Sequence, residues 1–115
     1  MRFDVTDWNA FNAALTAMAP ADPFYASIAE ICAMHERKSA DYGTEDDAHA
    51  NIRASEEYGV PAWVAALVRQ ADKFTRIKQF LRRGTLTNES LRDSIVDQAV
   101  YGIIVLTEFN RVRTE

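Results

Sequence analysis

The sequence has few of the residues that break helices or cross-link a chain. Its 115 residues include only 4 glycines, 3 prolines and 1 cysteine. The lone Cys32 cannot form an internal disulfide, which fits a reducing compartment. No segment approaches the roughly 18 apolar residues of a membrane span, and the first twenty residues contain acids and no extended apolar run, so no secretory signal is predicted. We therefore expect a cytoplasmic protein that does not associate with membranes.

Positive charge is also scarce. With 13 Lys and Arg against 17 Asp and Glu, the formal net charge is -4. This balance argues against a general nucleic-acid binder, because neutralising phosphates requires a basic surface. The remaining composition, 48% apolar and 26% charged, is that of an ordinary globular protein. At this length we expect one domain over residues 1–115.

Helical periodicity and helix caps dominate the chain, and no window alternates convincingly with a period of two. We predict an all-α bundle of four or five helices, with a core over residues 22–111 and a helical extension over residues 1–20. The predicted boundaries follow from cap residues. They are Thr6 for the N-terminal helix, Asp22 to about Gly43, Thr44 to Gly59, Pro61 to Gly84, and Thr87 or Asn88 to about Arg111.

The long helix after Pro61 shows one apolar stripe, which we expect to face the core. Its members are Trp63, Leu67, Phe74, Ile77 and Leu81. Asp72 lies opposite this stripe, with Arg76 one turn further on, so an exposed ion pair between them is predicted. Lys73 lies at the border of the stripe, from which its side chain can reach inward.

Acids recur at every fourth position at the start of the last helix, at Glu89, Asp93 and Asp97, and Tyr101 continues the series. Leu91, Ile95 and Ala99 define the apolar side of these turns, which makes Asp93 and Asp97 a predicted solvent face. The same line continues into Val100 and Ile104 in "AVYGIIVL", which is apolar on all sides and is expected to be buried on all sides. The acids are therefore predicted to lie at the mouth of a buried segment.

Two explanations of these acids remain open. Like charges four residues apart repel unless a positive charge compensates. In the first explanation that charge is a side chain of the protein, either Arg92 or a cation of the neighbouring helix. In the second explanation it is Mg²⁺. Magnesium needs only one or two carboxylates, with phosphate oxygens and waters as its other ligands. Glu89 also has a simpler explanation, as an acid favoured in the first turn of a helix.

A further polar segment, "KSADYG", ends the predicted second helix. Lys38, Asp41, Tyr42 and Gly43 combine a cation, an acid, a phenol and a glycine turn within six residues. Such a turn can present a lysine and backbone N–H groups to a phosphate. The glycine is equally explained as a helix cap.

Taken in order over about residues 24 to 108, these motifs resemble the phage and bacterial family called nucleotide modification associated domain 1. The motifs are Lys38-x-x-Asp41-Tyr42-Gly43, Asn51-Ile52, Gly59, Asp72-Lys73-x-x-Arg76 and Glu89-Ser90-x-x-Asp93-x-x-x-Asp97-x-x-x-Tyr101. That pattern is in turn similar to the MazG-type all-α nucleoside triphosphate pyrophosphohydrolases. Those enzymes are helical bundles, usually dimers or higher oligomers, which bind Mg²⁺ through one E-x-x-E pair and one E-x-x-D pair.

The chain departs from the MazG pattern in its acids. Asp93 and Asp97 are four residues apart instead of three, and Asp72 is followed by Thr75 and Arg76 instead of a second acid. Because the departure affects the acids that bind Mg²⁺ in those enzymes, it argues against hydrolysis more than against nucleotide binding.

The resemblance implies a phage-type protein of the host cytoplasm, a homodimer or higher oligomer, that cleaves a canonical or modified nucleoside triphosphate to the monophosphate and pyrophosphate. Asp93 and Asp97 are the expected catalytic residues, and they hold Mg²⁺ with Glu89 or Asp72. The expected ligand-binding residues are Lys38, Asp41, Tyr42, Asn51, Lys73, Arg76 and Tyr101. The alternatives are non-catalytic binding or sequestration of a nucleotide or nucleotide signal, and a helical protein-interaction module.

Overall fold

The structure, a computed structural model, describes residues 7–42, 49–86 and 89–113, and within α2 it describes side chains only up to residue 37. Across these ranges the chain forms five α-helices and one 3₁₀ helix, without any strand, so the prediction of an all-α fold is confirmed. The elements are α1 (Trp8–Met18), α2 (Phe24–Tyr42), α3 (Ala50–Arg53), a 3₁₀ helix (Ala54–Tyr58), α4 (Ala62–Arg83) and α5 (Leu91–Val112).

The chain divides into two compact units at Arg37 and Lys38. The first contains α1 and most of α2. The Asp7 carboxylate accepts a hydrogen bond from the backbone N–H of Ala10, which caps α1, and Leu15 is buried. The second unit contains α3, the 3₁₀ helix, α4 and α5. A single domain over residues 1–115, with its core at 22–111, stays a prediction.

Helix starts differ from the predicted ones at α1 and α5. The N-cap of α1 is Asp7 instead of Thr6. Helix α3 begins after His49, and its predicted cap Thr44 lies outside the described residues. The N-cap of α5 is Ser90, whose hydroxyl oxygen accepts a hydrogen bond from the backbone N–H of Asp93. Several residues near each start have side chains suited to capping, and only the path of the backbone decides which of them occupies the cap position.

The helix ends at glycine are confirmed at two places. Gly59 ends the 3₁₀ helix with φ 77°, and Gly84 ends α4 with φ 79°. This left-handed conformation is unfavourable for residues with a Cβ atom. The predicted turn at Gly43 lies outside the described residues.

Helices α4 and α5 pack against each other as an antiparallel hairpin. The Trp63 and Phe109 rings meet edge to face with their centroids 5.7 Å apart. Further along, the Gln70 side-chain amide donates a hydrogen bond of 3.1 Å to the backbone carbonyl of Gln98. A Cβ atom at Gly102 would lie 2.9 Å from the same amide nitrogen, so the glycine permits this close approach.

The buried side of α4 is not the predicted apolar stripe. Ala62 and Ala66 are its buried residues, whereas Leu67, Phe74 and Leu81 are exposed. The small alanine side chains allow the two helix backbones to approach closely, and Gln70 forms a hydrogen bond to α5 from this side. Close packing of the hairpin therefore selects small and polar residues of α4 over its largest apolar ones.

The predicted faces of α5 are confirmed only in part in its first turns. Asp93 is exposed and Leu91 and Ala99 are half-buried, as predicted. Asp97, however, is only 5% exposed, and Ile95 is exposed. The predicted burial of Val100 and Ile104 is confirmed. The prediction that "AVYGIIVL" is buried on all sides is wrong, because Ile103 and Leu106 are exposed.

Candidate functional site: two polar clusters on the last helix

A cluster of charged residues lies between α4 and the start of α5. We call it the lysine cluster; its members are Lys73, Arg76, Glu89, Ser94 and Asp97. The Lys73 Nζ atom lies 3.1 Å from Asp97 Oδ2 and 3.4 Å from Glu89 Oε2. Arg76 Nε lies 3.5 Å from Glu89 Oε1. The side chain of Lys73 therefore reaches inward from the border of the stripe. Its ammonium group forms an ion pair with Asp97.

Glu89 occupies a different position from the predicted one. It precedes the N-cap Ser90 and is therefore not an acid of the first turn of α5. Its Oε1 atom accepts a hydrogen bond of 2.6 Å from the hydroxyl of Ser94, which is fully buried. The side chain of Glu89 lies over the first turn of α5, where it contacts Ser94 and Lys73. Glu89 and Asp97 therefore approach the same lysine.

The charges of the lysine cluster are balanced, with two acids facing two cations. Burial alone would lower the pKa of Lys73, but the hydrogen bond and charge of Asp97, together with Glu89, outweigh burial and raise its pKa. Lys73 therefore remains a cation throughout the physiological pH range. The Arg76 side chain is 43% exposed, so its guanidinium is accessible to an anion in solution.

Two other acids predicted for this site lie at the surface. Asp93 is exposed although it is one turn from the buried Asp97, and Asp72 is exposed on α4. Arg76 forms its ion pair with Glu89 instead of the predicted partner Asp72. The structure thus brings Glu89 and Asp97 together around Lys73, and Asp93 forms none of the ion pairs found among the described side chains.

The remaining predicted ligand-binding residues are distributed over three helices. Tyr101 is half-buried on α5, one turn after Asp97, and Asn51 is exposed on α3. Lys38, Asp41 and Tyr42 belong to the last turns of α2, and their side chains lie outside the described part of the structure. Their roles stay predictions.

The donor set of the lysine cluster can be compared with the needs of Mg²⁺. In residues 7–37, 49–86 and 89–113, no three side chains of His, Cys, Asp or Glu are grouped so that they could hold a metal ion. The two carboxylates of Glu89 and Asp97, which converge on one cation, nevertheless suit Mg²⁺ when phosphate oxygens and waters supply its other ligands. The predicted metal site with Asp93, Asp97, Glu89 and Asp72 stays a prediction.

A second polar cluster lies near the end of α5, and the sequence analysis missed it. This glutamate cluster consists of Glu108, His49, Arg53, Arg111 and Glu56. The Glu108 side chain is 0% exposed. It accepts hydrogen bonds from Arg53 Nε at 3.1 Å and from Arg111 Nε at 2.7 Å, and His49 Nδ1 lies 2.8 Å from Oε1.

The glutamate cluster holds an ionised acid in a buried position. Burial alone would raise the pKa of Glu108, but the hydrogen bonds of Arg53, Arg111 and His49 outweigh burial and lower its pKa from 4.5 to about 2. Because an ionised carboxylate can only accept hydrogen bonds, His49 carries a proton on Nδ1. Arg111 also contacts Glu56 of the 3₁₀ helix at 2.8 Å. The cluster therefore ties α3 and the 3₁₀ helix to α5.

A signal for the glutamate cluster is present in the sequence. Val100, Ile104 and Glu108 are spaced four apart, so Glu108 continues a buried line of α5. An acid on such a line requires cations, and Arg111 stands three residues further on.

No protein-family model, no curated protein and no solved structure matches this chain. Within the described residues, none of the helices is both long and apolar enough to cross a membrane.

Proposed function

We propose that this protein binds a nucleotide or nucleotide-like phosphate compound at the lysine cluster, and that with Mg²⁺ it hydrolyses a nucleoside triphosphate to the monophosphate and pyrophosphate. The observation that carries the proposal is the convergence of Glu89 and Asp97 on Lys73 Nζ. Charged side chains are seldom fully buried unless they are paired, and perturbed pKa values cluster at functional sites.

The proposed binding involves an exchange of partners. Glu89 and Asp97 would hold the metal ion, and Lys73 and Arg76 would then turn from the carboxylates to phosphate oxygens. In this exchange the divalent cation would neutralise the two carboxylates, and the two side-chain cations would offset part of the phosphate charge. When bound, Mg²⁺ would neutralise phosphate charge and polarise the phosphoryl group.

The other residues have proposed roles around this centre. Asp93, at the exposed end of the acid series, would orient the attacking water as a general base. Tyr101, one turn after Asp97, would contact the base or the sugar. Lys38, Asp41, Tyr42 and Asn51 are proposed for the remainder of the nucleotide on the basis of the motif order alone.

Binding without turnover is a second candidate, and the charge balance of the lysine cluster favours it. Lys73 and Arg76 already neutralise Glu89 and Asp97, so the cluster is satisfied without a metal ion. In a sequestering protein the partly exposed Arg76 would contact the phosphates, while Lys73 would keep its ion pair with the buried Asp97.

One experiment tests both candidates. Purified protein is incubated with canonical and modified nucleoside triphosphates, with and without Mg²⁺, while pyrophosphate release and the melting temperature are followed together. Turnover that is lost in Asp93→Asn and Asp97→Asn supports hydrolysis. A raised melting temperature without turnover supports sequestration, because a ligand that binds only the folded state stabilises it. The absence of any melting shift with every nucleotide would contradict both.

A matched pair of arginine variants locates the site. Arg76→Gln removes a cation of the lysine cluster, and Arg69→Gln removes an exposed cation of the same helix. We expect the nucleotide-induced melting shift to fall in Arg76→Gln and to persist in Arg69→Gln. Equal shifts in the two variants would place nucleotide binding elsewhere.

A further inference from the structure

The ammonium group of Lys73 lies between the two acids of the lysine cluster. Its Nζ atom is 3.1 Å from Asp97 Oδ2 and 3.4 Å from each of the two carboxylate oxygens of Glu89. Two carboxylates that converge on one cation in this way suit a small divalent cation as well as an ammonium group. The two acids proposed to hold Mg²⁺ thus already have a cation between them, and this cation belongs to the protein.

The two acids are held in place, whereas Lys73 has the more mobile side chain. Asp97 is only 5% exposed, and Glu89 Oε1 accepts a hydrogen bond of 2.6 Å from the fully buried Ser94. Neither carboxylate is placed to turn into solvent and meet another cation there. The ammonium group of Lys73, by contrast, is attached to a flexible stem, and its side chain is 18% exposed. A second cation that contacts both acids must therefore displace Lys73.

The net charge of the lysine cluster also opposes a second cation. Glu89 and Asp97 carry two negative charges, and Lys73 and Arg76 together carry two positive charges. A neutral cluster attracts a divalent cation only weakly. Without the ammonium group of Lys73, the two acids would face Arg76 alone, and the cluster would be negatively charged. Removal of this one positive charge should therefore favour the binding of a divalent cation.

Displacement of Lys73 is costly unless its ammonium group gains another anionic partner. A partly buried charge without a counter-ion is unfavourable, because it has lost water and gained nothing in return. A phosphate group beside the exposed guanidinium of Arg76 would supply that partner. The binding of phosphate and of metal would then be coupled. Since such coupling is reciprocal, each ligand would raise the affinity of the protein for the other.

We infer that Lys73 competes with Mg²⁺ for Glu89 and Asp97, so that the protein alone binds the metal weakly and binds it well only together with a phosphate ligand. Lys73 thereby regulates the site, because it makes metal binding depend on the nucleotide. The inference rests on the proposed function, since the phosphate that receives the ammonium group belongs to the proposed ligand.

The binding of Mn²⁺ in the absence of nucleotide tests the competition. Mn²⁺ favours the same oxygen ligands as Mg²⁺, and electron paramagnetic resonance measures its free concentration. Lys73→Met removes the ammonium group and should lower the Kd for Mn²⁺ by roughly 10- to 100-fold, the usual range of coupling between two ligands. Lys78→Met is the matched control, because Lys78 is exposed on the same helix and outside the lysine cluster; its Kd should remain that of wild type.

Two further variants locate the effect and protect the test against misfolding. Adding Asp97→Asn to Lys73→Met should abolish the gain in Mn²⁺ affinity, because it removes the charge of the buried carboxylate. Lys73→Gln is a second neutral variant whose amide still has hydrogen-bond donors for Asp97. It should show the same gain, and it replaces Lys73→Met if circular dichroism shows that Lys73→Met does not fold.

Wild-type protein that binds Mn²⁺ as tightly as a folded Lys73→Met or Lys73→Gln variant would overturn the inference. A gain in affinity that persists after Asp97→Asn would overturn it as well, because the metal would then bind elsewhere. These titrations contain no nucleotide, so their result is separate from the nucleotide-induced melting shift that tests the proposed function. A melting shift with nucleotide, together with unchanged Mn²⁺ affinity in the Lys73 variants, would contradict the role of Lys73 alone.

Discussion

The two polar clusters differ in how their charges are balanced. In the glutamate cluster one fully buried carboxylate, that of Glu108, accepts hydrogen bonds from two arginines and faces a histidine. In the lysine cluster two acids share two cations, and the Arg76 side chain is half exposed. A carboxylate with three donors has little to gain from another ligand, whereas two acids that share two cations can exchange partners with a bound ligand. We therefore expect the glutamate cluster to serve stability and the lysine cluster to bind the ligand.

The largest expected effect is that of Glu108→Gln. Removing the charge leaves Arg53, Arg111 and His49 without their ionised partner, and breaking a buried ion pair in this way typically destabilises a protein by about 3–5 kcal/mol. Urea unfolding measures the change. Glu57→Gln is the control, because Glu57 is exposed on the 3₁₀ helix; its free energy of unfolding should change by less than about 0.5 kcal/mol. If the two variants changed the free energy of unfolding by similar amounts, Glu108 would not have the proposed stabilising role.

Lys73→Met should have the next largest effect, about 3 kcal/mol, because it leaves the buried Asp97 without its lysine. Adding Asp97→Leu to Lys73→Met should recover most of the lost stability, since well-packed apolar residues often replace a buried ion pair without loss. The double-mutant cycle, measured by urea unfolding, gives the coupling between the two residues. Additive effects would show that Lys73 and Asp97 act independently.

Acid should weaken the glutamate cluster. The pKa of Glu108 is lowered in the folded state, from 4.5 to about 2, so the unfolded chain binds a proton first. The stabilisation is complete above pH 4.5 and is lost as the pH falls towards 2. Its size is about 2 kcal/mol, because the partly exposed arginines are screened by solvent.

The free energy of unfolding between pH 6 and pH 2, measured for wild type and Glu108→Gln, isolates this contribution. The difference between the two proteins should shrink as the pH falls. A constant difference would mean that Glu108 does not titrate with a lowered pKa.

Ser94→Ala should have the smallest effect, about 1 kcal/mol, since it removes a single hydrogen bond to Glu89. Thermal or urea unfolding measures it. Ser55→Ala is a comparison, because the hydroxyl of this half-buried serine of the 3₁₀ helix donates a hydrogen bond to the backbone carbonyl of Val60. A loss above about 3 kcal/mol would indicate that Ser94 orders the entire lysine cluster rather than one carboxylate.

The helical class and most of the element boundaries could be predicted because they depend on local chemistry. The glycines at 59 and 84 end helices through their own backbone freedom, and Pro61 precedes α4 as expected. The cap of α5 was predicted two or three residues too early. Thr87, Asn88 and Ser90 all have side chains that can cap, and the turn between α4 and α5 determines which of them does so.

The candidate site was predicted in part. The acid series indicated Asp97 and the border position indicated Lys73, and the structure brings both together. The separation of Asp93 from Asp97 could not be predicted, because two residues on one helix line differ in burial only through the neighbouring helix. Glu108 was missed because the sequence does not show that His49 and Arg53, which are more than 50 residues away along the chain, contact its carboxylate.

The sequence by itself determined that the protein is helical, where its helices end, and which charged residues lie on a common helix line. These properties depend on each residue and its near neighbours along the chain. Only the tertiary structure decided which face of α4 and α5 is buried, because the hairpin packs through Ala62, Ala66 and Gln70 and leaves Leu67, Phe74 and Leu81 exposed. The hydrophobicity of the side chains can be read from one helix alone, but close packing depends on how the surfaces of two helices fit together.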